Sequence, residues 1–233
     1  MPMFPLNQIK TPCFVVDLGL IRRNLASLDD VQKRSGARIL LAQKAFSMFG
    51  IYPLLATVLK GTCASSPNEA RLGREFFPGE VHAFAAAYSE QDLRELLAVC
   101  DHIVFNSFSQ WKRFQALREA AAGRVEFGLR VNPEHSEADV PIYDPCAPGS
   151  RLGIRRCDFE GEDLSGVSGL HFHTLCEKNS DSLARTLNAF ESKFGDLIPR
   201  MKWINFGGGH HITRPDYDRE LLCRLITDFR KRY

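Results

Sequence analysis

The sequence lacks the features that mark a membrane protein, a secreted disulfide-rich protein or a nucleic-acid-binding protein. None of its apolar runs approaches the roughly 20 residues that a transmembrane helix needs. The seven cysteines are odd in number and widely spaced, with no Cys-x-x-Cys pair, which favours reduced thiols over disulfides or a zinc knot. The net charge is +2 without a long basic block, and the N-terminus has no signal-peptide pattern. These absences predict a cytoplasmic protein that binds neither a membrane nor a nucleic acid.

Segments typical of strands and helices alternate along the chain. Hydrophobic residues make up 44% and charged residues 25% of the sequence, as in ordinary soluble globular proteins. Apolar runs predict eight strands, at residues 11–17, 39–44, 62–65, 81–87, 102–106, 125–132, 169–173 and 203–207. Capping residues and helical spacing predict a first helix that follows Asp17 and stops at residues 35–36. They predict further helices at about residues 52–59, 67–76, 90–99, 109–122, 180–194 and 216–232.

This alternation with short links predicts an α/β fold, a parallel sheet covered by helices of the TIM-barrel type. A closed barrel needs eight strands. The periodicity does not decide whether the strand at 11–17 closes the barrel or the barrel stays open. Between residues 133 and 164 the pattern lapses into a long proline-containing loop, and loops of this size inside a domain are usually functional.

Lys44 stands near the end of the apolar run at residues 39–46. In an α/β barrel this end of each strand faces the active site, and burying a lysine costs free energy unless it has a partner or a role. One interpretation is an imine between Lys44 and the aldehyde of pyridoxal phosphate. The other is a lysine that reaches water from the strand end, and this short segment alone favours it.

Gly207, Gly208 and Gly209 follow the last predicted strand and precede the last predicted helix. Consecutive glycines let the backbone approach a phosphate closely and direct N–H groups at it, and barrels often bind phosphate late in the chain. The alternative is a loop that needs positive φ angles. The two interpretations are about equally supported by the pattern.

His171 and His173 lie two residues apart on one predicted strand, so both side chains face the same side. One of them could lie against a flat cofactor ring, or both could bind zinc. A zinc site would need more ligands on neighbouring strand ends, where the sequence has Lys44, Ser65 and two asparagines. A pair of hydrogen-bonded core histidines is the interpretation that the pair alone favours.

Two arginines are further candidates. Arg130 lies on the strand predicted at 125–132, between apolar neighbours that point to the opposite side. If it points inward, it needs an anion or hydrogen-bond acceptor, which a cofactor or a structural salt bridge would supply equally well. Arg151, at the end of the long loop, could bind an anion over the barrel mouth or could be solvated.

The order of these features resembles the barrel domain of fold type III pyridoxal-phosphate enzymes, the group that contains alanine racemase, ornithine decarboxylase and diaminopimelate decarboxylase. Longer segments look like the carboxynorspermidine decarboxylase family, including Gly-Leu-His-Phe-His-Thr-Leu-Cys-Glu at 169–177 and Asn-Phe-Gly-Gly-Gly-His-His-Ile-Thr at 205–213. Further similar segments are at residues 39–46, 62–73, 102–111 and 143–153. The resemblance extends from about residue 11 to the end of the chain.

The resemblance implies roles for the candidate residues. Lys44 would form the imine with pyridoxal phosphate, His173 would stack on its pyridine ring, and Arg130 would lie near that ring. Gly207, Gly208 and Gly209 would bind the phosphate, and no metal is expected. The implied reaction is decarboxylation of carboxynorspermidine or carboxyspermidine to norspermidine or spermidine, in polyamine biosynthesis, by a cytoplasmic homodimer.

The resemblance also bears on domain organisation. It implies that the strand at 11–17 belongs to a second, β-rich domain, so residues 1–36 would form an N-terminal strand and helix. Residues 37–233 would form a barrel with seven of its eight strands. In the family the eighth strand carries a Glu-Pro-Gly motif, and the following β domain adds a cysteine and an aspartate. None of these precedes Tyr233, so we expect a fragment of a longer enzyme that is poorly soluble alone.

Two other functions remain open at this stage. One is a metal-dependent barrel hydrolase built on His171 and His173, which would lose bound zinc and activity on chelation. The other is a protein that binds pyridoxal phosphate without catalysing decarboxylation. The missing family motifs make the second alternative more credible than it would be for a whole enzyme.

Overall fold

A computed structural model describes residues 9–233 of the chain. These residues form one sheet of seven parallel strands that are hydrogen-bonded in chain order. The strands are β1 (Leu40–Ala42), β2 (Gly61–Ala64), β3 (Glu80–Phe84), β4 (His102–Phe105), β5 (Glu126–Arg130), β6 (Val167–His171) and β7 (Trp203–Asn205). The prediction of an α/β fold with seven barrel strands is therefore confirmed.

Eight helices cover the outer face of the curled sheet in the described part of the chain. They are α1 (Leu18–Ser35), α2 (Tyr52–Leu55), α3 (Pro67–Phe76), α4 (Glu90–Val99), α5 (Phe108–Arg113), α6 (Gln115–Ala120), α7 (Ser180–Phe194) and α8 (Arg219–Arg232). None of them, within residues 9–233, has the length and apolar character needed to cross a bilayer.

Local sequence explains where the helices begin and end. The Asp17 side chain accepts hydrogen bonds from the backbone N–H groups of Gly19 and Leu20, and α1 ends at Gly36, whose φ of 71° is left-handed. Ser89 and Asp92 form a reciprocal capping box at the start of α4. These caps agree with the boundaries that the sequence predicts.

The sheet is curled but does not close, because the described residues provide no strand between β1 and β7. On the outside, α1 and α8 lie side by side across this opening. Arg230 donates a hydrogen bond of 2.9 Å to the backbone oxygen of Ser35, and Arg34 forms an ion pair of 2.5 Å with Glu220. The helical layer therefore continues where the sheet is interrupted.

Most of the core lies between the sheet and the helices from α3 to α8, and it is rich in aromatic side chains such as Phe105, Phe172 and Phe190. A smaller apolar cluster under α1 and α2 contains Leu25, Tyr52, Leu55, Leu59 and Phe77. The division of the chain between residues 36 and 37 into two domains stays a prediction.

Three predicted elements differ from the structure. Residues 11–17 form no strand, because no strand in the described chain pairs with them. Phe14 and Val15 are accordingly 94% and 50% exposed. The helix predicted at 109–122 is interrupted at Phe114, whose φ of −103° and ψ of 23° are not helical. The helix predicted at 52–59 ends at Leu55, and a turn follows.

Candidate functional site

A cavity of about 1030 Å³ extends through the interior of the curled sheet and into the opening between β1 and β7, where α1 and α8 also line it. At the carboxyl ends of the strands, the end where barrel enzymes bind substrates, it is lined by Lys44, Cys63, Ser65, His171, His173, Gly207, Gly208 and His210. The structure thus brings together Lys44, His173, Gly207 and Gly208. The other two predicted site residues, Arg130 and Gly209, lie next to this wall without lining the cavity.

Lys44 lies in the turn that follows β1, two residues beyond the last strand residue. Gln43 continues the strand pairing, since its N–H donates to the backbone oxygen of Cys63 at 3.1 Å, and its side chain is buried. Lys44 points away from that buried side and is exposed, at the rim of the cavity. Its amine is therefore accessible to a ligand aldehyde and to water.

His171 is the last residue of β6 and is buried, whereas His173 lies just beyond the strand and is half-buried. Their ring centres are 6.1 Å apart, and the ring planes make an angle of 81°. The prediction that both residues are on the strand is wrong by two positions for His173. Both rings nevertheless line the cavity.

Arg130 supports His173 from behind the cavity wall. Its Nη2 donates a hydrogen bond of 3.0 Å to the backbone oxygen of His173, and its guanidinium carbon lies 4.9 Å from the centre of the Phe84 ring. Burial lowers the pKa of Arg130 to about 10, so the group stays charged at neutral pH. Arg130 therefore contributes a buried positive charge next to the two histidines.

His171 and His173 are both neutral at neutral pH. Burial and the nearby cations of Lys44 and Arg130 lower the pKa of His173 to about 4. Burial, together with Arg130 and His173, holds the pKa of His171 well below its usual range. A neutral His173 ring can stack on a flat aromatic ligand without adding to the positive charges of Lys44 and Arg130.

The glycine loop packs tightly against the segment after β6. Gly207 has a φ of 71° and Gly209 a φ of 90°, and added Cβ atoms would meet the backbone oxygens of Phe172 at 2.5 Å and Leu175 at 2.0 Å. Only glycine fits these two positions. The helix predicted at 216–232 begins at Arg219, so an irregular segment of nine residues separates Gly209 from α8.

Within residues 9–233, the backbone N–H groups of Gly208, Gly209 and His210 have no protein acceptor. Gly208 and His210 line the cavity next to His173. Unpaired N–H groups on a close-packed glycine loop are suited to the oxygens of a phosphate. With an accessible lysine amine and a neutral imidazole in the same cavity, the residues present fit pyridoxal phosphate.

Arg151 does not line the cavity, and its side chain is exposed. Its backbone is held by Asn106, whose Nδ2 donates to the Arg151 oxygen at 2.8 Å and whose Oδ1 accepts from Gly153 N–H at 2.9 Å. The structure thus favours the solvated interpretation of Arg151. Asn106, a strand-end residue, fastens the long loop to the end of β4.

His171 and His173 belong to no group of three metal-ligating side chains in the described chain. Such a group is formed by Glu80, His82 and His102 at the amino ends of β3 and β4, which is the opposite end of the barrel. There the two imidazole rings are stacked with centres 4.0 Å apart and planes 9° apart. Parallel stacked rings do not direct their nitrogens at one common point, so this arrangement does not favour a shared metal.

One contact near the glycine loop has no counterpart in the predicted site. The Nδ1 atom of His210 lies 2.8 Å from the hydroxyl oxygen of Tyr217. The two residues are seven apart in an irregular segment, and no regular spacing predicts their contact. In the sequence, His210 belongs to the motif at 205–213 and directly follows its three glycines.

The described fold is similar to the corresponding parts of several solved decarboxylase structures. The crystal structure of diaminopimelate decarboxylase from Helicobacter pylori complexed with L-lysine superimposes with a TM-score of 0.76 at 15% sequence identity, covering 96% of this chain and 61% of that one. A likeness at this identity establishes the fold alone. No protein-family model matches the chain.

Two curated decarboxylases are more similar to the chain in sequence. The chain is 41% identical over 227 residues to carboxynorspermidine/carboxyspermidine decarboxylase of Campylobacter jejuni, covering 97% of this chain and 58% of that protein. It is 38% identical over 229 residues to carboxyaminopropylagmatine decarboxylase of Synechocystis sp., with 98% and 58% covered. The chain thus spans somewhat more than half the length of these curated relatives.

A solved structure agrees with the sequence comparison. The crystal structure of carboxynorspermidine decarboxylase from Campylobacter jejuni complexed with norspermidine superimposes with a TM-score of 0.86 at 40% identity. The match covers 97% of this chain and 57% of that chain. The resemblance noted in the sequence motifs therefore extends over nearly the whole chain and its fold.

Proposed function

We propose that the chain is the cofactor-binding barrel of a pyridoxal-phosphate-dependent decarboxylase that acts on carboxynorspermidine or carboxyspermidine. The observation that carries this proposal is the meeting of three groups in one cavity: an accessible lysine amine, a neutral imidazole and a loop of unpaired N–H donors. The products would be norspermidine or spermidine, and the similarity to decarboxylases of polyamine biosynthesis supports this choice.

In this proposal Lys44 holds the cofactor covalently from the turn after β1. His173 stacks on the pyridine ring, and Arg130 supports His173 through the bond to its backbone oxygen. Gly207, Gly208 and Gly209 bind the phosphate. Gly207 and Gly209 act through the backbone shape that their positive φ angles permit, and Gly208 and Gly209 provide unpaired N–H groups.

Bound pyridoxal phosphate supplies a conjugated ring that accepts the electrons released when the bond between Cα and the carboxylate breaks. Lys44, His173 and the glycine loop would hold that ring in the cavity. The Lys44 amine, exposed at the rim, is placed to exchange a proton with water. A neutral His173 avoids a charge repulsion with a cationic polyamine substrate entering the cavity.

A related substrate is a second candidate. The relative from Synechocystis is named for carboxyaminopropylagmatine, which shares a carboxylated aminopropyl end with the carboxylated polyamines. The groups that we assign contact the cofactor and do not discriminate among these substrates. A panel of the three carboxylated amines therefore belongs in the activity test.

The test is carbon dioxide release by the purified protein with pyridoxal phosphate. We expect release from carboxynorspermidine or carboxyspermidine, together with a visible absorbance band from protein-bound cofactor. Lys44→Ala should lose both, whereas Lys60→Ala, a change at another exposed lysine, should lose neither. A cofactor band without carbon dioxide from any of the three substrates would support the non-catalytic alternative. Zinc-dependent hydrolysis, or a band that survives Lys44→Ala, would contradict the proposal.

We also propose that the protein is a cytoplasmic homodimer. Support comes from large apolar side chains that the described chain leaves uncovered, namely Phe14, Ile142 and Tyr143, at 94%, 84% and 71% exposure. Exposed apolar groups of this size are commonly buried by a partner. Light scattering coupled to size-exclusion chromatography should give twice the monomer mass, and a monomer at micromolar concentration would contradict the dimer.

A further inference from the structure

We propose that His210 is a further cofactor-binding residue, which donates its Nε2–H to the cofactor phosphate, and that Tyr217 is the positioning residue that fixes this tautomer. The inference deepens the proposed function and rests on it, because it names additional residues for the same phosphate site. Three observations support it: His210 lines the cavity, its ring contacts Tyr217, and the glycine loop has unpaired N–H groups.

The place of His210 is fixed by backbone pairing. His210 follows Gly209 directly and lines the cavity. On one side, the N–H of Lys178 donates to the Gly209 oxygen at 3.0 Å, and on the other, the N–H of His211 donates to the Lys178 oxygen at 3.4 Å. This short parallel bridge holds the backbone of His210 beside the segment after β6, so its ring stays at the cavity wall.

The hydrogen bond to Tyr217 determines which ring nitrogen carries the proton. The hydroxyl of Tyr217 lies 2.8 Å from His210 Nδ1, and Tyr217 is only 6% exposed. Among the described residues this hydroxyl has no other hydrogen-bond partner. A buried hydroxyl hydrogen needs an acceptor, so the Tyr217 hydroxyl donates and Nδ1 accepts.

A neutral imidazole has one proton, and when Nδ1 is an acceptor that proton is on Nε2. Burial lowers the pKa of His210 to about 4, so the neutral form prevails at neutral pH. Burial also raises the pKa of the Tyr217 hydroxyl above its usual range, so it remains a donor. The His210 ring is therefore held in the Nε2–H tautomer.

The Nε2–H of His210 has no acceptor in the described part of the chain. In the same loop, the backbone N–H groups of Gly208, Gly209 and His210 itself also have no acceptor among the described residues. A group made only of donors favours a ligand with several acceptor oxygens, which is the chemistry of a phosphate monoester. His210 thus adds a side-chain donor to a cradle otherwise made by backbone.

His211 provides a matched control because its surroundings differ. Its Nδ1 lies 3.2 Å from Nη1 of Arg214, and its Nε2 lies 3.9 Å from a carboxylate oxygen of Glu177. Its side chain is 36% exposed, and it is absent from the cavity lining. The same substitution can therefore be compared at His210 and at His211, which are adjacent but have different partners.

The first test compares two ligands that differ only in the phosphate, pyridoxal phosphate and pyridoxal. Loss of a hydrogen bond to a charged group is expected to reduce affinity about tenfold. His210→Phe should therefore weaken pyridoxal phosphate about tenfold while changing pyridoxal less than about twofold. His210→Gln, whose amide nitrogen can occupy the Nε2 place, should recover most of the loss. His211→Phe should change neither affinity.

The second test observes the tautomer without any cofactor. Two-bond proton–nitrogen NMR spectra of labelled protein should show His210 as the Nε2–H form. Tyr217→Phe should convert it to a mixture of tautomers and reduce affinity for pyridoxal phosphate about threefold, a smaller loss than removal of the ring. A wild-type Nδ1–H signal would overturn the role of Tyr217.

The outcomes separate this inference from the proposed function. If the wild-type protein binds no pyridoxal phosphate, the proposed function fails and this inference fails with it. If the wild-type protein binds the cofactor through Lys44 but His210→Phe leaves the preference for pyridoxal phosphate unchanged, only the inference is overturned. An equal loss of both ligands in His210→Phe would likewise contradict a phosphate contact.

Discussion

The guanidinium of Arg130 donates a hydrogen bond of 3.0 Å to the backbone oxygen of His173, 43 residues later in the chain. The bond joins the end of β5 to the segment that follows β6. Arg130 is only 6% exposed, so no solvent would readily replace it as a donor. The position of the His173 ring in the cavity therefore depends on a residue that does not line the cavity.

Replacing Arg130 with methionine tests this dependence. The change keeps most of the apolar stem but leaves the His173 oxygen without its donor, which should cost about 1–3 kcal/mol of unfolding free energy. Cofactor affinity should fall as well, because the His173 ring loses its fixed position. Urea unfolding and cofactor titration measure the two effects. Arg22→Met, at an exposed position of α1, is the control, and equal effects at both positions would refute the argument.

The glycine loop gives a prediction with an internal control. Gly207→Ala and Gly209→Ala place a Cβ on residues with left-handed φ angles and against backbone oxygens at 2.5 Å and 2.0 Å. Gly208→Ala meets only His173 Cε1, at an ordinary 3.7 Å. We expect the first two changes to destabilise the protein by about 1–3 kcal/mol and the third to leave folding nearly unchanged. Thermal melting of the three variants measures these differences in stability. Equal melting temperatures would contradict the packing described.

Buried neutral histidines predict a loss of stability in acid. Burial lowers the pKa of His82, His173 and His210 to about 4, and for His82 the stacked His102 adds to this effect. An unfolded histidine has a pKa of about 6.5, so between these values the unfolded chain binds more protons than the folded chain. The histidine contribution is thus complete above about pH 6.5 and is lost progressively as the pH falls towards about 4.

The measurement is the urea-unfolding free energy at several pH values between 7 and 5. His82→Gln should flatten the decline, because one group that favours the unfolded state in acid is removed. His211→Gln, at a more exposed ring, should follow the wild-type curve. A wild-type stability that is constant or rises as the pH falls through this range would show that these rings are not held neutral.

The sequence predicted the order of strands and helices because the local signals and the tertiary fold agree. Asp17, Ser89 and Gly36 are helix-capping residues, and each occupies the cap that its chemistry favours. The prediction of a strand at 11–17 was wrong, because an apolar alternation does not show whether a neighbouring strand is present to pair with it. Phe14 and Val15 satisfy the pattern and still lie in solvent.

The sequence predicted those residues of the candidate site that lie near strand ends or in recognisable motifs. Lys44, His173 and the glycines meet because the carboxyl ends of parallel strands converge on one side of the barrel. The sequence did not predict where the strands end. Lys44 and His173 each lie two residues beyond a strand. The contact between His210 and Tyr217 depends on the path of an irregular segment, which has no periodic signal.

Borohydride reduction followed by peptide mass spectrometry determines whether Lys44 holds pyridoxal phosphate covalently. After incubation with the cofactor and reduction, we expect one phosphopyridoxyl group per chain, on Lys44. Lys44→Ala should carry none at stoichiometric cofactor, whereas Lys60→Ala should be labelled like the wild type. Labelling that is spread over surface lysines, or that persists in Lys44→Ala, would contradict the account.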